Sequence, residues 1–315
     1  MTREKYTVIP VPINRDGYPP QSQGHRRPPQ KGCEIETSGC SSAVRALRCQ
    51  RESRGFEPLH PLHGGHSSIG RTSRCDRGSL RVRTPLVTPS VIIMTNYYKY
   101  PRTWHLPWSP HNERDDHKLH NTDHFYNRTV IVTEKMDGEN TTLYQDHIHA
   151  RSINSGDHPS RSWVKNLHGQ IRHLIPEGMR VCGENLYAKH SIGYDNLDSY
   201  FLVFSIWIDE YCFSWADTLE YCDLLDLTPV PYALSPRFHK PLVYTAYLDD
   251  ALERIAAGWE ALHSDKEGYV VRDAGCFKLS EWEQSIAKYV RPNHVQTDQH
   301  WMEKEVEVNV LHSSG

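Results

Sequence analysis

The sequence lacks long apolar segments, paired cysteines and a secretory leader. No apolar run approaches the roughly 18 residues that span a bilayer, and the opening stretch MTREKYTVIPVPINRDG has no apolar core of a signal peptide. The eight cysteines occur without a CxxC pair, which argues against a zinc site and against a disulfide framework. These absences predict a cytoplasmic protein with reduced thiols and no membrane partner.

Charge is divided unevenly along the 315 residues. Residues 1–93 hold 15 Lys and Arg against 7 Asp and Glu, which gives a net charge of +8. The whole chain has 36 Lys and Arg and 39 Asp and Glu, so residues 94–315 hold 21 and 32 of them, a net charge of −11. The basic block is rich in Pro, Gly, Ser and Arg and has little apolar periodicity, which predicts disorder. A basic arm that binds RNA phosphates is one interpretation of this block.

Two segments of the basic block resemble each other, SSAVRALRCQRESRGFEPL at 41–59 and SSIGRTSRCDRGSLRVRTP at 67–85. A structural repeat of this length needs an apolar face on which neighbours stack, and these segments have none. The DNA sequence GGGTTCGAACCC, typical of the T-arm of tRNA genes, encodes GFEP (55–58) in one frame and VRTP (82–85) in another. We therefore interpret residues 1–93 as a disordered basic segment that arises from spurious translation of upstream tRNA genes.

Residues 94–315 mix predicted strands and helices without a regular βαβ rhythm, and they contain no Rossmann or P-loop glycine pattern. Apolar and β-branched runs predict strands, and apolar positions at helical spacing predict helices. The predicted strands are 129–135, 180–188, 198–208, 267–273 and 285–291, with a hairpin between 141 and 151, and the predicted helices are 158–175, 215–227 and 247–262. This pattern predicts an α+β fold of antiparallel sheets with flanking helices.

Five short motifs carry the residues most suited to chemistry. Lys135 lies in the K-x-D-G pattern of TEKMDGENTTLY, where a strand is predicted to end at a tight turn that Gly138 allows. A lone lysine beside carboxylates is typical of a solvated surface, so this pattern alone is weak. Four further motifs follow in order: GENLYA with Glu184, YFLVFSIW with Phe204, EGYVVR with Glu267 and AKYVR with Lys288.

In this order and at this spacing, the motifs resemble the covalent nucleotidyltransferase superfamily of RNA ligases, DNA ligases and capping enzymes. They are most similar to the ATP-dependent RNA ligases of bacteriophages and some bacteria, over most of residues 94–315. The resemblance implies a nucleotidyltransferase (ATP-grasp-like ligase) domain that uses ATP and Mg²⁺ or Mn²⁺. It implies an enzyme that seals 5′-phosphate and 3′-OH ends of RNA, with tRNA repair and an end-healing kinase or phosphatase partner as the expected context.

The resemblance also implies a role for each matched residue. Lys135 would attack the α-phosphate of ATP and form a lysyl–AMP intermediate, and Lys288 would contact that phosphate. Glu267 would bind a metal near the nucleophile, and Glu184 would bind the ribose and serve as a second metal-binding carboxylate. Phe204 would stack on adenine, although core packing of an apolar strand would also explain it.

Three more residues are assigned to the nucleotide site by the same resemblance. Arg151 would contact the ribose or a phosphate, with a charge on the hairpin face as the alternative. Glu134 adjoins the nucleophile. Arg291 would supply a second cation, although the family spacing is K-x-K or K-x-R and this chain has K-Y-V-R.

The chemistry requires a neutral amine at Lys135, because a protonated lysine, with a reference pKa of about 10.4, is a poor nucleophile. Glu134 and Asp137 flank it and favour the ammonium form. We therefore expect a bound metal and the charge of Lys288 to offset these two carboxylates.

Alternative functions rest on departures from the family pattern. Only 24 residues follow Arg291, too few for the oligonucleotide-binding (OB) barrel of DNA ligases and capping enzymes, so we expect no C-terminal OB barrel. This disfavours, without excluding, a DNA nick ligase and a capping-type guanylyltransferase. The alternative outside the enzymes is a non-catalytic RNA-binding protein. The acidic core would need a local basic patch, for which the candidates are Arg161, Lys165, Arg172 and Lys189.

The interpretation of residues 1–93 predicts that the native protein starts at Met94. Mass spectrometry of the protein purified from its own source should then find an N-terminal peptide beginning at or just after Met94. A single peptide from residues 1–93 would contradict the interpretation and favour a genuine basic arm.

Overall fold

A computed structural model describes six ranges of the chain: 97–110, 117–232, 243–245, 252, 265–292 and 305–312. The basic segment 1–93 lies outside them, as does the predicted helix 247–262 except for the helical residue Leu252. No helix in the described ranges is long and apolar enough to cross a membrane.

Short strands dominate the described residues, which also contain three α-helices and four 3₁₀ turns. The strands are β1 (Trp104–His105), β2 (Thr129–Lys135), β3 (Glu139–Leu143), β4 (Ile148–Ala150), β5 (Met179–Asn185), β6 (Phe201–Ile208), β7 (Tyr211–Cys212), β8 (Thr228–Pro229), β9 (Val243–Thr245), β10 (Gly268–Asp273), β11 (Phe277–Lys278) and β12 (Ile286–Val290). The helices are α1 (Ser162–Ile171), α2 (Trp215–Leu225) and α3 (Trp282–Ser285), and the 3₁₀ turns are Asp123–Phe125, Pro159–Arg161, Arg172–Leu174 and Leu279–Glu281.

The strands form two sheets in which antiparallel pairing prevails. The first sheet has the order β1–β12–β10–β2–β9, and only the β1–β12 pair is parallel. The second has the order β11–β7–β6–β5–β3–β4, with β8 added in parallel to β6. The predicted antiparallel α+β class is thus confirmed, with two short parallel pairs as an addition.

Helices α1 and α2 cover one face of the second sheet and enclose the largest apolar cluster. Val164 and Ile171 of α1 and Leu225 of α2 pack there against Val181 and Val203 of the sheet, and all five side chains are buried. Helix α2 begins where the Ser214 hydroxyl accepts a hydrogen bond from the backbone N–H of Asp217, a typical N-cap. The helix period predicted by the sequence therefore matches the face that is buried.

The opposite face of the second sheet packs against the first sheet. Ile131 of β2 and Leu202 of β6 belong to one buried cluster, and Ile286 of β12 joins Cys182 and Trp207 in another. The outer face of the first sheet has its own core, to which Val130 and Val132 contribute. Alternate residues of β2 thus enter different cores, because successive side chains of a strand point to opposite faces.

The sequence-based strand boundaries agree closely with this arrangement. The strand predicted at 129–135 is β2, and the predicted hairpin is the antiparallel β3–β4 pair. The strand predicted at 180–188 ends earlier, at Asn185, and the helix predicted at 158–175 is α1 between two 3₁₀ turns. The four described cysteines are free, and Cys182, Cys212 and Cys222 are buried.

Gly268 permits the close packing of β10 and β12 beside the end of β2. A Cβ atom at this position would lie 1.9 Å from the carbonyl oxygen of Tyr289 and 3.1 Å from the Cα of Val290. Both contacts involve backbone, which cannot move aside as a flexible side chain can. The sheet therefore requires glycine at the position opposite Lys135.

Gly268→Ala should consequently lower the free energy of unfolding by about 3 kcal/mol, since overpacking against backbone forces the strands apart. Gly169→Ala in α1 is the matched control, because a Cβ there meets no atom within 4 Å. That substitution should stabilise the protein by about 0.5–1 kcal/mol. Urea denaturation of both variants measures the difference, and equal stabilities would contradict the assigned register.

Candidate active site

Three adjacent strands of the first sheet bring two lysines to one face. Val270 of β10 lies opposite both Thr133 of β2 and Lys288 of β12. Lys135 follows Thr133 by two residues, so the two lysine side chains share a face of the sheet. Glu267 precedes β10 at the edge where β2 ends. The antiparallel register therefore assembles these three residues from distant parts of the sequence.

Lys135 forms an ion pair with Glu267, with 2.7 Å between Nζ and Oε1. The Lys135 side chain is 26% exposed and that of Glu267 only 6% exposed, so the amine can be reached while its partner is buried. Burial acts to lower the pKa of Lys135, but the negative charges of Glu267 and Glu184 outweigh it and raise that pKa above its ordinary value. The amine is therefore held in place as an ammonium ion.

The two carboxyl groups near Lys135 are protonated more readily than ordinary glutamates. Burial, with added repulsion from Glu267 and Asp137, raises the pKa of Glu184 to about 8 despite the attraction of Lys135. Burial likewise raises the pKa of Glu267 to about 7, while Lys135 and Lys288 act in the opposite direction. The flanking carboxylates predicted from the sequence were Glu134 and Asp137, but the strongest charges on Lys135 come from Glu267 and Glu184.

A cavity of about 700 Å³ opens between the two sheets at this point, a volume suited to a nucleotide-sized ligand. The first sheet contributes Lys135, Val270 and Lys288 to its lining, and the second contributes Glu184 and Phe204. One wall is thus cationic and the other carries a carboxyl and an aromatic ring. Such a lining can hold the phosphates, ribose and base of one nucleotide.

A register shift in the second sheet places Phe204 beside the cavity. In the β5–β6 pair, Gly183 lies opposite Val203 but Cys182 lies opposite Ser205, so Phe204 has no paired residue. Such bulges change the direction of a side chain. The ring of Phe204 is half-buried, lines the cavity and meets Tyr100 edge to face with 5.0 Å between centroids. It therefore combines core packing with an accessible aromatic surface.

The other predicted residues differ in where the structure places them. Arg151 follows β4, is exposed and lines the cavity. Glu134 lines it too and lies 3.5 Å from Lys266 Nζ. Arg291 Nε donates to the carbonyl oxygen of Lys266 at 2.5 Å, and Arg291, like Glu267, is not among the residues that line the cavity. The role of Arg291 as a second cation stays a prediction.

The K-x-D-G turn links the two sheets, because β2 belongs to the first and β3 to the second. A tight turn could require glycine if its backbone were left-handed, but Gly138 does not have a left-handed backbone. A Cβ at Gly138 would instead lie 2.6 Å from the carbonyl oxygen of Asn185 and 2.7 Å from Leu186 Cδ2. The glycine is therefore required by close approach to the end of β5, which corrects the reason inferred from sequence.

Several cavity residues were missed by sequence reasoning. Arg272 is 2% exposed and donates to the carbonyl oxygens of Phe204 and Phe213, at 3.3 and 2.7 Å. Glu139, which the sequence did not suggest, forms a buried bidentate ion pair in the cavity wall with Arg161, a residue suggested only for a basic patch. The EGYVVR motif contains Arg272, but its spacing alone cannot show that a buried arginine joins the two sheets.

Most of the cations suggested for a basic patch on the core have a carboxylate partner. Arg161 is paired with Glu139 inside the cavity wall. Lys165 pairs with Asp157, and Lys189 pairs with Glu307 at 2.6 Å. Three of the four suggested residues therefore have their charge offset by a carboxylate.

The donor set at this site suits a divalent cation that keeps part of its hydration. Across the described ranges, no group of three or more His, Cys, Asp or Glu side chains is arranged to hold a metal. Mg²⁺ is commonly held by one or two carboxylates together with substrate phosphates and water. Glu184 and Glu267 would supply the carboxylates for such a cation, and its charge would favour their ionised forms.

Comparison with known proteins supplies the family context. A family model described as RNA ligase matches residues 128–290. An archaeal ATP-dependent RNA ligase (form 1) aligns at 19% identity and a TM-score of 0.38, over 54% of this chain and 44% of that chain. A Naegleria gruberi RNA ligase with PPi aligns at 17% identity and a TM-score of 0.38, over 54% and 51%.

A putative ATP-dependent DNA ligase from Aquifex aeolicus aligns at 17% identity and a TM-score of 0.35, over 54% of this chain and 46% of that chain. The chain therefore spans about half the length of these solved structures. No curated protein matches it.

The raised pKa of Glu184 predicts a pH-dependent effect of Glu184→Gln. A folded-state pKa of about 8, above the ordinary 4.5, means that this group costs stability increasingly as pH rises through that interval. Glutamine cannot ionise, so the variant should match the parent near about pH 5 and exceed its stability by about 1–3 kcal/mol near pH 9.

Urea denaturation at several pH values measures this difference. Glu177→Gln is the control, because Glu177 is exposed on a turn and its replacement should leave the pH profile unchanged. A stability difference for Glu184→Gln that stays constant across the pH range would contradict the assignment.

Proposed function

This chain belongs to the RNA ligase family, and from that premise we propose that it is an ATP-dependent RNA ligase with Lys135 as the nucleotidyl acceptor. The family model matches just over half of the sequence and spans all five motifs up to Val290. The proposal covers the sealing of RNA 5′-phosphate and 3′-OH ends, with residues 94–315 as the adenylyltransferase domain.

One observation carries the proposal. The Lys135 amine is accessible from a cavity of about 700 Å³, is hydrogen-bonded to the buried Glu267, and shares its sheet face with Lys288. A structural surface lysine would not require a buried carboxylate, a second cation and an aromatic wall in one cavity. A nucleotidyl acceptor requires all of these, because phosphoryl transfer depends on positioning and on neutralising phosphate charge.

In the proposed first step, Lys135 Nζ transfers a proton to Glu267 and its lone pair attacks the α-phosphorus of ATP. An N–P bond forms, the bond from the α-phosphorus to the bridging oxygen of the β-phosphate breaks, and pyrophosphate leaves with that electron pair. The nitrogen then loses a second proton to solvent or to the departing pyrophosphate, which leaves a neutral phosphoramidate nitrogen. Glu267 fits the role of acceptor because it is 2.7 Å from Nζ and its pKa, near 7, is high for a carboxyl. Lys288 would offset negative charge on the α-phosphate.

The remaining residues would orient the nucleotide. Phe204 presents a ring on which adenine can stack, Glu184 offers the ribose a hydrogen-bonding partner, and Arg151 can reach a phosphate from the cavity rim. A divalent cation held by Glu267 and Glu184 would supply charge neutralisation at the phosphates and lower the proton affinity of Lys135.

In the next two steps we propose that AMP passes from Lys135 to an RNA 5′-phosphate and that a 3′-OH then displaces AMP. The phosphodiester forms as the bond between the RNA phosphate and AMP breaks. RNA is thus the proposed partner in a cytoplasmic setting, and an end-healing kinase or phosphatase stays a prediction. Arg291, whose Nε donates to the Lys266 carbonyl, stays a prediction as a second cation at the nucleotide site.

The proposal predicts a covalent adduct on Lys135. Incubation with Mg²⁺ and ATP labelled on the α-phosphate should give a labelled protein that survives denaturing electrophoresis, and Lys135→Ala should abolish the label. Lys165→Ala is the matched control, because Lys165 is an exposed lysine paired with Asp157 and its loss should leave labelling intact. Labelled GTP in parallel tests the capping-type alternative.

The acceptor strand is tested with the labelled protein. Addition of 5′-phosphorylated nicked RNA should discharge the label and produce sealed RNA, whereas nicked DNA should do so at least about tenfold more slowly, since 2′-hydroxyl groups distinguish the two strands. Sealing of DNA alone would favour a DNA nick ligase. Binding of RNA without any covalent label would favour the non-catalytic alternative.

A further inference from the structure

The segment 305–312, referred to below as the C-terminal clamp, docks on the chain that follows β5. Val308 forms an isolated β-bridge with Ala188, and Leu311 forms another with Leu197. Backbone hydrogen bonds run in both directions between the two segments, from Lys189 N to Glu307 O, Asn309 N to Tyr187 O, Val310 N to Tyr194 O, Leu197 N to Val310 O and His312 N to Leu197 O, at 2.7 to 3.1 Å. The clamp therefore ties together both ends of the loop 186–197.

Asn309 is the buried centre of the clamp, at 3% exposure. Its Oδ1 accepts from the backbone N–H of Tyr194 at 2.8 Å, and its Nδ2 donates to the carbonyl oxygen of Leu186 at 2.8 Å. Its own carbonyl oxygen accepts from the Tyr200 hydroxyl at 2.8 Å. One side chain thus bridges the beginning and the far end of the loop, and both of its polar atoms have partners.

The loop held by Asn309 in turn holds the turn that carries the nucleophile. The Tyr194 hydroxyl accepts from the backbone N–H of Asp137 at 2.8 Å. The Asp137 carboxylate accepts from the N–H groups of Ser191 and Ile192, at 2.8 and 2.7 Å. Asp137 is two residues beyond Lys135, so three hydrogen bonds connect the loop to the K-x-D-G turn.

We propose that Asn309 is a positioning residue for adenylylation, which it serves by holding Tyr194 and thereby the Asp137 turn beside Lys135. The inference rests on the proposed function, since it assigns a role in attack on ATP. Asn309 does not line the nucleotide cavity, so it contributes through the loop and not by contact with ATP. Small displacements of a nucleophile lower reaction rates steeply while leaving substrate binding nearly unchanged.

The test compares Asn309→Ala and Tyr194→Phe in the full chain, with Val310→Ala as the control. Tyr194→Phe removes only the hydroxyl that accepts a hydrogen bond from the backbone N–H of Asp137. This variant should therefore stay folded even if Asn309→Ala unfolds the protein. Val310 has an exposed side chain and takes part in the clamp through its backbone. Single-turnover adenylylation over a range of ATP concentrations separates the rate at saturation from the apparent KM.

Both test variants should lower the saturating adenylylation rate by about tenfold or more and change the apparent KM for ATP by less than about threefold. Hydrogen exchange followed by mass spectrometry should show faster exchange in the turn 136–138 for both variants, about tenfold, with β10 unaffected. Val310→Ala should match the parent protein in every measurement.

Three results would overturn the proposal. They are an unchanged rate in Tyr194→Phe, a lower rate without faster exchange in the turn 136–138, or a KM that rises in step with the fall in rate. The exchange experiment also separates this inference from the proposed function. An absence of label on the parent protein would refute the ligase activity, whereas unchanged exchange in Asn309→Ala would refute the clamp whatever the activity.

Discussion

The ion pair between Lys135 and Glu267 is the interaction on which the rest of the site depends. It forms because β2 and β10 pair with Lys135 opposite Gly268, which places the preceding Glu267 within 2.7 Å of the amine. Removing two charges from water costs free energy that their attraction only partly offsets. A pair of this kind stabilises the fold weakly, so its value lies in fixing a charged amine at the mouth of a cavity.

The cavity combines different side chains because it lies between two sheets that carry different residue types. The first sheet supplies cations from β2 and β12, and the second supplies Glu184 from β5 and Phe204 from the β6 bulge. The K-x-D-G turn joins them, and Gly138 allows it to approach the end of β5. Arg272, which also lines the cavity, joins the two sheets through hydrogen bonds to the carbonyl oxygens of Phe204 and Phe213. The geometry of the site is thus a property of the interface between the sheets.

Much of the fold could be predicted from local pattern. The β-branched run 129–135, the near-continuous apolar run of β6 and the helical spacing in α1 and α2 each identified an element that the structure contains. The reason is that these signals arise from burial on one face, which the chain expresses locally. Local pattern did not predict the arrangement of the described residues 305–312, which form an extended segment docked on the loop 186–197.

Six of the eight residues that the motifs nominated line the cavity, while Glu267 forms the ion pair beside it and Arg291 donates to the Lys266 carbonyl. One interpretation needed refinement, because the carboxylates that act most strongly on Lys135 are Glu267 and Glu184, and its sequence neighbour Asp137 acts less strongly. Sequence proximity alone does not show which charges face each other, because strand alternation and sheet register decide it.

The sequence by itself determined which segments become strands and helices and which residue types are available for chemistry, because periodicity and residue chemistry are local properties. Tertiary structure alone decided that Lys135, Glu267 and Glu184 share one desolvated space, that Arg161 and Glu139 neutralise each other, and that Asn309 is connected to the turn 136–138. These relations join residues far apart in the chain. Their strength depends on distance and burial, which only the packed sheets define.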